Sequence, residues 1–157
     1  MNHALHLTLL GAAAGAAGTT ALNALTYVDM TARGRPASST PETTVERLSE
    51  VAHVPIPGDE ETRENRVSGL GPLTGQLAGV GIGALLGLGR AAGWRPAIGV
   101  STAVATVGAM VGTSGPMTLL GVTDPRTWPV TSWIVDLVPH LAYGAVTAAV
   151  LERLDPR

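Results

Sequence analysis

The side chains best suited to chemistry lie in one stretch, Trp133-Ile-Val-Asp136-Leu-Val-Pro139-His140-Leu-Ala-Tyr143-Gly144. In a helix Asp136 and His140 fall one turn apart on a common face, and Tyr143 carries that face one turn further. The surrounding run, Trp128 to Leu151, holds no other charged residue. A charge at the centre of a bilayer costs about 2.5–3.5 kcal/mol on insertion scales, so such groups turn toward a bundle interior. His140 falls near mid-membrane if the span runs over 130–151. Pro139 lacks a backbone donor and leaves the Val135 carbonyl free for another partner. Facing groups could come from Thr19, Asn23 and Tyr27, a polar stripe at helical spacing, or from Gln76 and Ser114. Two chemistries fit. His140 could titrate in a proton or solute site, or Asp136 and His140 could be polar glue between helices, with Asp136 near an interfacial belt of Trp128 and Trp133. Glue is the more general role and the preferred reading. One His and one Asp are too few for a metal site without ligands converging from other helices.

Other chemistries are excluded by residue type. The chain has no Cys, which removes disulfides, thiolate metal sites and cysteine nucleophiles. A net charge of -2 and a pI near 6.0 lack the basic footprint of a nucleic-acid binder. Gly79-Val-Gly81-Ile-Gly83 resembles a dinucleotide loop only in its glycines. That fingerprint needs a preceding strand and a later acid, and here the run lies inside an apolar helix followed by arginines. No P-loop, zinc-protease helix or nucleophile elbow occurs. With no nucleophile–base pair and no cofactor motif, the sequence reads as non-enzymatic and cofactor-free.

The elements that must position these groups follow from charge placement. Only 14% of the 157 residues are charged against 45% hydrophobic, and every one of the ten basic residues is Arg. Of 22 charged residues (10 basic and 12 acidic), thirteen fall between Asp29 and Arg66. Around them stand apolar runs, and about 20 such residues suffice to cross a bilayer. The reading is all-α: a single membrane domain over 1–157 with four transmembrane helices near 4–28, 67–90, 97–121 and 130–151. A cleaved signal peptide is the rival for the first run. Its leading segment has no Lys or Arg, and the uncharged stretch exceeds a usual h-region. A soluble bundle would need polar helix faces, which are nearly absent.

The second span carries Gly71, Gly75, Gly79, Gly83 and Gly87, an unbroken spacing of four. These share a face and would cost about 1 kcal/mol each against Ala in a water-exposed helix. In a membrane they let backbones approach closely, so a glycine-zipper packing is expected. Gly11 with Gly15, and Gly108 with Gly112, repeat the motif. The seam serves helices of one chain in the preferred reading and a homo-oligomer in the other.

The polar loop, 29–66, holds a short helix near 41–53. Thr40 is its expected N-cap, Pro41 its first residue, and Glu42 favours the dipole. Val45, Leu48, Val51 and Ala52 share a face opposite Glu46, Arg47 and Glu50, an amphipathic pattern suited to lying on the bundle or at the headgroups. A docking surface for a protein partner is the alternative. Asp59, Glu60 and Glu61 look like an acidic first turn that continues into the second span. Gly112-Thr-Ser-Gly115-Pro116 could interrupt the third span as in transporters, or simply kink it. Arg33 and Arg35 follow the first span and no basic residue precedes it. The positive-inside rule therefore puts the loop in the cytoplasm and both termini outside.

Ser114-Gly-Pro116, Leu-Leu-Gly121-Val-Thr-Asp-Pro125, Trp133, Asp136 and His140-Leu-Ala-Tyr143-Gly144 resemble the end of YagU-like bacterial inner-membrane proteins. The segment Arg33-Gly-Arg35-Pro-Ala-Ser-Ser-Thr-Pro41-Glu42 resembles a shorter actinobacterial branch of such proteins. The resemblance implies four helices in the plasma membrane and singles out His140, without implying catalytic residues. The expected function is a non-enzymatic structural or interaction component, with the lipid bilayer, another copy or a membrane protein as partner. The alternative is a small transporter or proton conductor using Asp136 and His140.

Overall fold

The computed structural model describes residues 2–156, and every regular element among them is helical. In chain order these are α1 (His3–Arg33), α2 (Thr40–Ala52), α3 (Glu60–Ala91), α4 (Ile98–Leu119) and α5 (Val130–Leu154), with one 3-10 turn at Pro125–Thr127 before α5. Four of them, α1, α3, α4 and α5, are long and apolar enough to cross a membrane. This is the architecture of a multi-pass membrane protein.

Two of the spans are longer than the uncharged runs that announce them. The 31 residues of α1 reach about 46 Å at 1.5 Å per residue, beyond a hydrocarbon core of about 30 Å. Its final turn carries Asp29, which pairs with Arg33 at 2.8 Å and Arg35 at 2.6 Å. Gly34 then closes the helix at φ 62, a left-handed cap whose N–H bonds the Met30 carbonyl. Seven residues ahead of its uncharged run, α3 starts at Glu60, so the acidic turn and the span are one helix. Its N-cap, Asp59, accepts from the Thr62 amide at 2.9 Å. Hydrogen bonding from Thr62, side chain first and amide second, holds the Asp59 carboxyl below its usual value. Through Gly115-Pro116 to Leu119, α4 remains helical, with no local break.

In the bundle α1 packs against α3 and α5, α4 packs against α5 and α3, and α2 lies on α3. Small side chains dominate the interior, with Ala14, Ala105, Ala109 and Ala148 buried beside Leu7, Leu86, Tyr143 and Leu151. Larger apolar residues such as Leu77, Leu85, Val107 and Leu141 point outward. That inversion of a soluble fold suits a hydrocarbon solvent.

Several glycines lie where α1 meets α3. A methyl added at Gly11 would strike the Gly83 carbonyl oxygen and come within 2.8 Å of Gly87 Cα. One added at Gly83 would strike the Gly11 carbonyl and come within 2.6 Å of Gly15 Cα. Gly79 abuts Thr19, while Gly71 faces α2, where a methyl would lie 3.1 Å from the Glu42 amide nitrogen. Gly75 faces open space. The five-glycine row is therefore divided between two neighbours, because α3 leaves α1 and meets α2 toward its beginning. Gly108 and Gly112 lie over Ile82 of α3 rather than over another glycine.

The polar loop differs from expectation in two details. Ser39, not Thr40, is the N-cap of α2, and it makes no side-chain cap bond, so Pro41 is the second helical residue. Of the apolar face only Val45 is buried, while Leu48 and Val51 are exposed. The reason is a one-sided contact: α2 leans on α3 at its first turn, against Gly71, and through Arg63 Nη2 to Glu46 Oε1 at 2.8 Å.

Candidate functional site

Because α5 stays helical through Pro139, Asp136, His140 and Tyr143 occupy one face of it. The His140 ring is buried, with 8% of the residue exposed. Its Nδ1 lies 2.7 Å from the Asp136 backbone carbonyl oxygen and 3.5 Å from Asp136 Oδ1. Its Nε2 lies 3.5 Å from Thr113 Oγ1 on α4. The Thr113 hydroxyl also donates to the Ala109 carbonyl at 2.9 Å. The other carboxylate oxygen, Asp136 Oδ2, is buried without a hydrogen-bond partner.

Tyr143 is the best buried of the large side chains at 1% exposure. Its hydroxyl donates to the Gly79 carbonyl of α3 at 2.7 Å, across the point where Gly79 and Thr19 meet. It thus ties α5 to α3 instead of joining the Asp136–His140 pair.

The stripe expected from α1 does not converge on that pair. Thr19 is buried, donates to the Gly15 carbonyl at 2.9 Å and abuts Gly79. Asn23 is half-buried, and no side-chain hydrogen bond of it is found among the described residues. Tyr27, expected to face α5, stands 62% exposed and lines a shallow surface groove with Val28, Thr31 and Ala32. The correction has a helical cause: α1 turns its Gly11–Gly15–Gly18 face inward, and Tyr27 lies off that face. Gln76 and Ser114 are half-buried. Neither that groove nor a second one on α4, lined by Ala103, Val104, Val107, Gly108 and Val111, is lined by Asp136 or His140.

Three features escaped the sequence reading. Thr113 is the partner of His140, and nothing in its spacing distinguishes it from Thr106 or Thr118. Gly18 and Gly144 are close-approach points, since a methyl at Gly144 would come within 2.6 Å of the Thr102 carbonyl oxygen and one at Gly18 within 2.8 Å of that of Tyr143. The third is Arg90, which is buried at 5% exposure. Its guanidinium reaches Glu152 Oε2 at 2.5 Å and the carbonyls of Asp155 at 2.5 Å and Leu151 at 3.3 Å. Arg95 adds a pair to Asp155 Oδ2 at 2.9 Å. The fork therefore caps the end of α5, where carbonyls lack intrahelical donors. Charges ending two parallel runs at one membrane face were the available signal.

At the opposite end, Trp128 and Trp133 have ring centroids 5.2 Å apart, and Trp128 Nε1 donates to Thr123 Oγ1 at 2.8 Å. Beside them Arg126 pairs with Asp124 at 2.9 Å and holds that carboxyl below its usual value. No group of three or more His, Asp or Glu that could hold a metal occurs among the described residues. No known family, curated protein or solved structure matches the chain.

Proposed function

We propose that this protein is a non-enzymatic structural or interaction component of a bacterial plasma membrane, its spans locked by a glycine zipper between α1 and α3. The observation that carries the reading is the backbone-to-backbone approach at Gly11, Gly15, Gly83 and Gly87. Seams of this kind gain van der Waals contact at the expense of internal space. Internal hydrogen bonds of Tyr143, Thr19 and Arg90 support it as well. The loop between α1 and α3 lies in the cytoplasm on the arginine rule. Kinship with YagU-like proteins belongs to the same proposal.

Purification of the tagged full chain in mild detergent, with sizing and identification of co-purifying proteins, tests it. A defined membrane-protein partner or a discrete self-assembly is expected. The second reading, a small transporter or proton conductor, is favoured by one observation, the unpartnered Asp136 Oδ2. Reconstituted protein that dissipates a pH gradient, with His140→Leu inert, would establish that reading in place of the first.

A further inference from the structure

We infer that Asp136, His140 and Thr113 form a proton-binding site inside the membrane domain, loaded as a His140 imidazolium set against the Asp136 carboxylate. The inference goes beyond the structural role proposed above, since a site can bind a proton without conducting it.

Donor and acceptor accounting carries it. At 2.7 Å from the Asp136 carbonyl oxygen, Nδ1 must carry a hydrogen, because a carbonyl oxygen only accepts. The Thr113 hydroxyl has one hydrogen, directed at the Ala109 carbonyl at 2.9 Å, so toward Nε2 at 3.5 Å it presents an acceptor. With the hydroxyl so turned, both ring nitrogens face acceptors, which suits a ring carrying two hydrogens, and because the hydroxyl can rotate to donate, the same site also satisfies the neutral ring. The counter-charge is in place, with Asp136 Oδ1 at 3.5 Å from Nδ1 and Oδ2 buried without a partner. Loading adds one proton from water to the Nε2 lone pair. Unloading returns that proton to water, and the Thr113 hydroxyl then turns its hydrogen from the Ala109 carbonyl to Nε2. No bond other than this N–H forms or breaks.

The charged surroundings leave no rival for this role. Between Ile98 and Leu119, α4 carries no titratable side chain, and α3 carries none between Arg66 and Arg90. On α1 the titratable groups are His3 and His6 at its start, the exposed Tyr27, and the half-buried Asp29, which pairs with Arg33 and Arg35. On α5 itself, Tyr143 commits its hydroxyl to Gly79.

The test is nuclear magnetic resonance of the full chain, labelled with 15N-histidine, in nanodiscs of neutral phosphatidylcholine. His140 is identified among the four histidines by the resonance lost in His140→Gln. In the wild type its ring should pass reversibly between imidazolium and neutral forms when the pH is changed. Asp136→Asn should leave the ring neutral under the conditions that load the wild type, and Asp136→Glu should restore the transition. Thr113→Val, which keeps the side chain's size, should move the Nε2 resonance of the neutral ring. No transition in the wild type, an unchanged transition in folded Asp136→Asn, or an unmoved Nε2 in Thr113→Val overturns the inference. Should Asp136→Asn not fold, the Glu and Val variants decide it.

Discussion

Replacing Gly83 by Ala places one methyl group where the α1 and α3 backbones meet. The new carbon would strike the Gly11 carbonyl and stand 2.6 Å from Gly15 Cα and 2.7 Å from Gly15 N. Ordinary carbon contacts lie at about 3.5–4.0 Å, so the helices must part by about 1 Å. A gap of that size forfeits a quarter to a half of each dispersion contact along the seam. All the obstructing atoms are backbone, and no rotamer change can relieve them. Overpacking of this kind costs about 1–3 kcal/mol, and the absence of an escape route places Gly83→Ala in the upper half of that range. The matched control is Gly75→Ala, on the same helix but facing open space. It should be neutral or stabilising by up to about 1 kcal/mol from helix propensity. Denaturation by dodecyl sulfate from a mild detergent, followed by tryptophan fluorescence, compares the two. Equal stabilities would refute the zipper reasoning.

Other outcomes follow from the same contacts. Arg90→Met should destabilise by about 3 kcal/mol, as for removal of one partner of a buried ion pair, with hydrogen exchange accelerated at the end of α5; unchanged exchange there would contradict the capping role. Tyr143→Phe loses one interhelical hydrogen bond and should cost about 0.6 kcal/mol, read as a shift of the same denaturation curve. The Asp59 carboxyl is held below its usual value of 3.8 by Thr62, so its stabilisation of α3 is present above that pH and is lost as pH falls through the lower, folded value. The difference in helical circular dichroism between wild type and Asp59→Ala should therefore exist near neutrality and vanish in strong acid.

Which helices exist was legible because uncharged runs of membrane length need only a count of charges, and α1, α3, α4 and α5 lie on those runs. Their ends were less legible. Asp29 and Arg33 look like loop residues in a hydropathy reading, yet their mutual ion pair lets α1 continue to Arg33. The Asp136–His140 contact was legible because both residues lie on one helix, where spacing alone fixes the face. Tyr27 was misplaced and Thr113 missed for the converse reason. Contacts between helices depend on how each rotates about its axis, and in a uniformly apolar helix no polar face fixes that rotation. The glycines carry that information: Gly11, Gly15 and Gly18 turn α1 toward α3 and α5, which leaves Tyr27 outside. Leu48 and Val51 show the limit of amphipathic pattern, since the small contact between α2 and α3 covers Val45 alone.

The architecture is tested most directly by its topology, and the absence of cysteine makes single-cysteine mapping clean. Ser38→Cys lies in the loop before α2, and Ala92→Cys lies between α3 and α4, both at exposed positions. Intact cells treated with a membrane-impermeant maleimide should label Ala92→Cys and spare Ser38→Cys until lysis. Labelling of both positions in intact cells, or protection of both, would contradict a span between them and with it the multi-pass bundle.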